Sequence, residues 1–316
     1  MPARTANPLL PFVDRQGALI LDGGLATTLA DRGHDLDDPL WSARVLIDRP
    51  AAIGSVHADF LAAGADVITT ATYQASAAGF AARGLDAAAA ASLMNQAVDL
   101  AVDARDRFWS DTGQTSGRLR PLVAASVGPY GAYLADGSEY SGRYEIDARQ
   151  LRTFHRDRWQ LLAASRADLL ACETLPSLVE TEVLLELLDE TPQRWAWFSF
   201  SCRDGATLWD GTPLATAVAR CSGRPGVAAV GINCTDPRHV GSLIAFARRA
   251  TDLTVIVYPN SGERYEPSTK TWQPGPPGAD ITAAARRWRR LGAAGIGGCC
   301  RIGPGDIARI RAALLD

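Results

Sequence analysis

VAAVGINCTDPRHVGSLIAFARRATDLTVIVY, residues 227–258, decides the fold. Two short apolar, β-rich runs, VAAVGIN (227–233) and LTVIVY (253–258), flank a segment of helical period. Asp236 followed by Pro237 reads as an N-cap with proline at the first helical position. Val240, Leu243, Ile244 and Ala247 then fall on one face of the helix. Neither run alternates cleanly between apolar and polar residues, as expected of parallel strands covered on both sides. Strand, helix and strand together make one β/α unit.

The same unit recurs in both directions along the chain. Further runs are ALILD (18–22), DVITTA (66–71), PLVAAS (121–126), DLLAC (168–172), WAWFSF (195–200) and AGIGG (294–298), giving eight candidate strands. Helical patterns follow them. Ile53, Val56, His57, Phe60 and Leu61 keep the i, i+3, i+4, i+7 spacing, and the alanine-rich stretch 87–108 is strongly helix-forming. Ser177 with Glu180 has the capping-box pattern, and Pro304 opens a last helix with Ile307, Ile310 and Leu314 inward. Eight such units predict an α/β fold, a single-domain (β/α)8 TIM barrel over residues 18–316, preceded by an N-terminal extension, 1–17. A doubly wound open sheet would carry a glycine-rich phosphate loop after its first strand, and Asp22-Gly23-Gly24 matches that poorly. Three long loops, about 23–49, 127–147 and 259–279, follow strands. They therefore belong on the face where barrel enzymes build their sites. The first has room for a short helix near 25–32.

The 316 residues are 47% hydrophobic with a net charge of −3, enough for a large core and without general affinity for nucleic acid or anionic membranes. The basic run Arg286, Arg287, Arg289 and Arg290 around Trp288 reads as a solvated helix face. No apolar stretch reaches spanning length and the N-terminus lacks a signal-peptide pattern, so a cytoplasmic protein is expected. Six cysteines in a reducing compartment point to packing, catalysis or metal rather than disulfides.

Polar residues gather at the strand ends: Asp22, Thr70 with Tyr73 beyond it, Ser126, Glu173, Ser201, Asn233 and Cys234, Asn260, and Cys299 with Cys300. Strands six and eight are next-but-one neighbours on a barrel rim, so Cys234, Cys299 and Cys300 can converge. Three thiolates suit zinc and leave one position open, the arrangement of a catalytic site. Three inert buried thiols are the competing reading, and Cys172, Cys202 and Cys221 are assigned to it. His239, early in a helix, reads as a surface residue. A three-thiolate zinc activates water poorly and a substrate thiol well. Asp22 and Glu173 suit the ammonium group of an amino acid, or else cap helices and pair with arginines.

The segments LDGGLATTLADRG, PLWSARVLIDRP, GADVITTATYQAS, SVGPYGAYLADGSEYSG, DLLACETLPS, WFSFS, VGINC, YPNSGE with the later KTW, and IGGCCR together resemble the homocysteine S-methyltransferases. The likeness runs from about residue 18 to 315. It implies zinc held by Cys234, Cys299 and Cys300, the homocysteine amino group held by Asp22 and Glu173, and substrate placed by Asn233 and Ser126. It is greatest to bacterial enzymes that use S-methylmethionine, so the expected reaction is methyl transfer from that small-molecule sulfonium to homocysteine. S-Adenosylmethionine or betaine as donor is the alternative, and a non-catalytic zinc-binding or sensor protein is the alternative of another class. Trp41, Tyr73, Tyr130 and Tyr133 are candidate aromatic faces for the donor cation. Ile302-Gly303 stands where the family often has two threonines, which bears on the final helix cap more than on the metal.

Overall fold

Apolar runs become strands where their backbone amides find a parallel neighbour. The computed structural model describes residues 5–34, 42–112, 114, 117–266, 271–273 and 280–315. Within these, the sheet comprises β1 (Leu19–Ile20), β2 (Val67–Thr69), β3 (Leu122–Val127), β4 (Leu169–Leu175), β5 (Ala196–Phe200), β6 (Val227–Asn233) and β7 (Thr254–Tyr258). After a small antiparallel hairpin, β8 (Arg264–Glu266) with β9 (Thr271–Gln273), comes the eighth barrel strand, β10 (Gly295–Ile296). The order is β1-β10-β7-β6-β5-β4-β3-β2, and a parallel bridge from Leu21 to Val67 joins the ends. The result is the expected (β/α)8 barrel. The hairpin lies in the third long loop, where the sequence shows no strand pattern.

Helices cover the outside. After β1 come α1 (Leu25–Asp31), α2 (Ser42–Asp48) and α3 (Pro50–Ala63); after β2, α4 (Ala77–Ala81) and α5 (Ala87–Asp111); after β3, α6 (Tyr130–Leu134) and α7 (Ala148–Ala164). Then α8 (Leu178–Asp189), α9 (Leu214–Cys221) and α10 (Pro237–Ala250) follow β4, β5 and β6, while α11 (Ile281–Arg290) and α12 (Pro304–Leu315) flank β10. α10 is built as its sequence dictates: the Asp236 carboxylate accepts from Arg238 N–H at 2.9 Å, and Val240, Leu243, Ile244 and Ala247 are buried. α11 buries Trp288 and leaves its arginines outward. No helix among the described residues is long and apolar enough to cross a membrane.

Two capping details differ from the sequence pattern. Ser177 Oγ accepts from Glu180 N–H, but the Glu180 side chain does not reach back. It turns inward to His155 Nε2 at 2.7 Å and accepts from Tyr130 N–H at 2.6 Å. Buried, its carboxylate gains more from those donors than from a helix end in water. The complete capping box is at Asp147 and Gln150, with bonds of 2.8 and 3.0 Å.

The barrel's lower interior is apolar. Leu19, Leu21, Val67, Ala124, Leu169, Ala171, Trp197, Ala229 and Ile256 pack together there, with Leu9 and Phe12 of the N-terminal segment in the same cluster. A second, larger core lies between strands and helices. At the seam, Asp66 N–H donates to Ile20 O at 2.7 Å and Asp22 N–H to Val67 O at 3.1 Å. The Asp66 carboxylate accepts from Ile20 N–H at 2.9 Å and from Gln16, and pairs with Arg311 at 3.1 Å and Arg118 at 3.6 Å. Asp66→Ala strips all of these partners from a buried site and is expected to cost about 3–5 kcal/mol. Asp86→Ala removes only the exposed cap of α5 and should cost about 1 kcal/mol. Urea unfolding of the two variants checks the difference.

Candidate active site

Parallel strands all end on one rim, and the inward face turns from apolar to polar there. Two residues beyond Val67, Ala124, Ala171, Trp197 and Gly231, on the same face, stand Thr69, Ser126, Glu173, Ser199 and Asn233. Ser126 Oγ donates to Glu173 Oε1. Tyr258 accepts from Trp197 Nε1–H at 3.0 Å and opposes the rise that burial imposes on the Glu173 carboxyl. Asp22 ends β1 and accepts from Thr69 N–H at 2.7 Å and from Thr69 Oγ1 at 3.0 Å.

Asn233 does more than border the first thiol. Its Oδ1 accepts from Thr174 N–H and Ser199 Oγ, both at 2.8 Å, and its Nδ2 donates to Thr174 Oγ1 at 2.8 Å. Thr174 has φ +61° and sits where the β4–β5 register shifts. This non-glycine residue in the left-handed region is held by side-chain bonds from β6, as strained functional backbone must be. Asn233 thereby fixes the direction in which Glu173 points. Cys234 follows with φ +47°, and its carbonyl accepts from Ser201 Oγ at 3.3 Å.

The three expected thiols converge. Cys234 Sγ lies 2.9 Å from Cys299 Sγ and 3.9 Å from Cys300 Sγ, and all three fall within 4.8 Å of one another. Among the described residues this is the one cluster of three such ligating side chains. Cys299 N–H donates to Pro259 O at 2.8 Å and Cys300 N–H to Asn260 Oδ1 at 3.2 Å, so the loop after β7 clamps the pair. Glycines let the β1 loop approach from the other side: a Cβ on Gly24 would stand 2.7 Å from Cys299 O. Ile302 belongs to this packing too. It is 3% exposed, its carbonyl accepts from Gly24 N–H at 2.8 Å, and its side chain fills the space a Cβ on Gly298 would take. Its side chain therefore supports the thiol loop, a correction to the helix-cap role. The cap of α12 is the Asp306 carboxylate, which accepts from Gly303 N–H at 2.9 Å.

The donor set fits a metal. About 3.8 Å is the edge of a tetrahedron of sulfurs around zinc, and the two measured separations bracket it. Burial and the neighbouring thiols and carboxyls hold each thiol well above its ordinary range. Only a cation in their midst would let them ionise together. Cys299 and Cys300 are half-buried, which leaves one side of the cluster open. Cys172, Cys202 and Cys221 are buried apart from it, and burial raises their thiols.

Burial also governs the acids. Asp22, 5% exposed, is pushed up to about 8 by burial, opposed by the Thr69 bonds and reinforced by the charge of Glu173. Glu173, 8% exposed, is pushed up to about 7, with Ser126 and Tyr258 opposing. Neither caps a helix or pairs with an arginine among the described residues.

The aromatic candidates divide. Burial raises the Tyr73 phenol well above its usual range, the charges of Glu139, Cys234 and Cys299 raise it further, and Thr174 opposes them. Tyr130 and Tyr133 join Tyr144 and Phe154 in an aromatic cluster, with Tyr130 centroids 4.9–5.6 Å from the other three rings. Trp41 lies outside the described residues. Two aromatics that the sequence does not single out pack on one another. Tyr140 feels the charges of Cys234 and Cys300 and packs edge-on against Trp209 at 5.9 Å. Trp209 Nε1–H donates to Ser201 Oγ at 3.0 Å. Both residues lie in long loops that carry no pattern. Tyr258 was findable, since it is the inward residue after Ile256.

A barrel whose rim gathers three thiols and two buried acids is that of an enzyme handling an amino-acid thiol. Residues 19–314 match the family model described as homocysteine S-methyltransferase, and the chain belongs to that family. It is 47% identical over 306 residues to homocysteine S-methyltransferase YbgG of Bacillus subtilis, covering 97% of each chain. It is 48% identical over 307 residues to the homocysteine S-methyltransferase of Escherichia coli, covering 97% of this chain and 98% of that one. The metallated form of the Escherichia coli homocysteine methyltransferase MmuM superposes with a TM-score of 0.87 at 45% identity, over 97% of this chain and 99% of that one.

The raised acids make metal-free stability depend on pH. Each carboxyl keeps its proton to a higher pH in the folded chain than in the unfolded one. Its contribution is therefore fully present below about pH 4 and lost as pH climbs through about 7 for Glu173 and about 8 for Asp22. The slope approaches about 1.4 kcal/mol per pH unit for each carboxyl. Urea unfolding of the metal-free protein between pH 5 and 8.5 should show this fall. Asp22→Asn and Glu173→Gln should flatten it, and an unchanged slope in both would contradict the assignment.

Proposed function

We propose that this homocysteine S-methyltransferase uses S-methylmethionine as methyl donor and depends on zinc held by Cys234, Cys299 and Cys300. The observation that carries the reading is the convergence of those three thiols on the rim that also holds Asp22 and Glu173. When bound, zinc supplies Lewis acidity that lowers the thiol pKa of homocysteine, so the substrate stands as thiolate at neutral pH. The three cysteines would leave it one open position.

The chain's other groups bind and align. Asp22 and Glu173 receive the homocysteine ammonium, whose positive charge favours their ionised forms. Ser126 holds one oxygen of Glu173, and Asn233 sets its direction through Thr174. The homocysteine sulfur attacks the methyl carbon in line with the departing sulfur. The donor C–S bond breaks, its electron pair stays on that sulfur, and the leaving group is a neutral thioether that needs no proton. The thiol proton of homocysteine goes to solvent. With S-methylmethionine both products are methionine. A thiolate and a sulfonium become two neutral molecules, so a buried, water-poor site favours the charge-consuming step. Such thiol chemistry suits a reducing compartment such as the cytoplasm.

Two measurements test this. Cys234→Ser and Cys299→Ser should each lower bound zinc and methionine formation together, read by metal analysis and product assay. Full zinc with full activity in either variant would remove it from the ligand set. A panel of S-methylmethionine, S-adenosylmethionine and betaine with zinc-loaded enzyme should give the highest kcat/KM for S-methylmethionine. Turnover with betaine alone would sink the donor assignment.

A further inference from the structure

Asn260 is one of the polar residues at the strand ends, and the scheme above gives it no part. It lies in the turn after β7, which grips the thiol pair along its backbone. Cys299 N–H donates to Pro259 O at 2.8 Å, and Ser261 N–H donates to Cys300 O at 3.1 Å. Main-chain groups make both bonds, so residue type does not enter. Cys300 N–H is held differently: it donates to a side chain, Asn260 Oδ1, at 3.2 Å. Arg301 Nε also donates to Glu263 Oε2 at 2.7 Å, but both partners are partly exposed, and such pairs hold little.

The main chain of Asn260 reaches the other strand that carries a thiol. Asn260 N–H donates to Thr235 O at 3.2 Å, and Thr235 directly follows Cys234. Thr235 is buried and fixed in turn. Its Oγ1 accepts from Cys202 N–H at 3.0 Å and donates to Asn233 O at 2.8 Å. A single residue thus bonds both halves of the cluster, by its N–H on the β6 side and by its side chain on the β10 side. None of these bonds involves a sulfur, so they can form before a metal arrives. That matters because ionised thiols repel one another, and the segments carrying them need another hold.

We propose that Asn260 is a positioning residue for zinc, the crosspiece that sets Cys300 against Cys234 before the metal binds. This rests on the reading of Cys234, Cys299 and Cys300 as the zinc ligands. Ligand segments that had to be ordered at the moment of binding would lose that ordering free energy from their affinity. A frame formed in advance avoids the loss. Outer partners of ligating residues are typically worth about ten- to hundredfold in metal affinity. The acceptor oxygen can be removed while the N–H to Thr235 stays, which isolates the side chain's share.

The test measures zinc affinity of the full-length, metal-free protein by competition with a chromophoric chelator, for wild type, Asn260→Ala and Asn260→Asp. The alanine variant should bind zinc about ten- to hundredfold more weakly. The aspartate variant keeps the acceptor oxygen and should bind at least as tightly as wild type. Undiminished affinity in the alanine variant, or an equal loss in both variants, overturns the proposal. Hydrogen exchange on the metal-free wild type gives a second measurement that needs no variant. The amides of Asn260 and Cys300 should already be protected before zinc is added. Protection that arises only with zinc would mean that the metal orders the frame, and overturns the proposal even if both variants misfold. Wild type that takes up no zinc refutes the ligand reading and the proposal with it, whereas tight zinc in wild type and alanine variant alike refutes the proposal alone.

Discussion

Between β1 and β2 the sheet closes through Asp22 N–H to Val67 O and Asp66 N–H to Ile20 O. A carboxylate reinforces each end of that seam: Asp66 takes Ile20 N–H below, and Asp22 takes Thr69 N–H above. β1 and β10 are two residues long each, so their neighbourhood holds few ladder bonds. Yet this is where the site is built, because β10 delivers two of the three thiols and β1 delivers Asp22. An open sheet would leave the end of β10 and the end of β2 on separate edges. Closure is what makes a rim, and a rim is what brings residues 65 positions apart into contact.

The rim is then shaped by local departures from regular strand. Thr174, Cys234 and Arg301 all have positive φ without being glycine, and each belongs to or adjoins the acid and thiol positions of the candidate site. Such conformations cost of order 1–3 kcal/mol each. The surrounding bonds repay that: Asn233 holds Thr174, Ser201 holds the carbonyl of Cys234, and Thr27 Oγ1 accepts from Arg301 N–H at 2.9 Å. Below them the interlocked Leu169, Trp197 and Ile256 give these bonds a rigid base. The polar tier is strained and desolvated, and the apolar tier beneath it supplies the stability.

The barrel was legible because its unit repeats: apolar runs of similar length, with helical faces between them, leave few other architectures. Cys234, Cys299 and Cys300 were legible because strand ends can be located from sequence and a barrel then places them. Two kinds of feature stayed hidden. Side-chain direction was one. Glu180 looks like half of a capping box until His155 and the Tyr130 amide compete for it, and Ile302 looks like a cap residue until Gly298 leaves room for it. Loop folding was the other. Glu139, Tyr140 and Trp209 sit in segments without period, and their positions are set by close backbone approach, such as that at Gly131.

One polar path runs from the rim toward the floor of the barrel. Ser126 holds Glu173, Tyr258 opposes the rise that burial imposes on the same carboxyl, and Tyr258 also accepts from the indole N–H of fully buried Trp197. The indole is thus a single phenol away from the Glu173 carboxyl. Its emission and near-ultraviolet ellipticity are set by that hydrogen bond and by the local field. Trp197 is a native spectroscopic reporter of the Glu173 carboxyl, sealed from solvent at a position no label could reach without breaking the core.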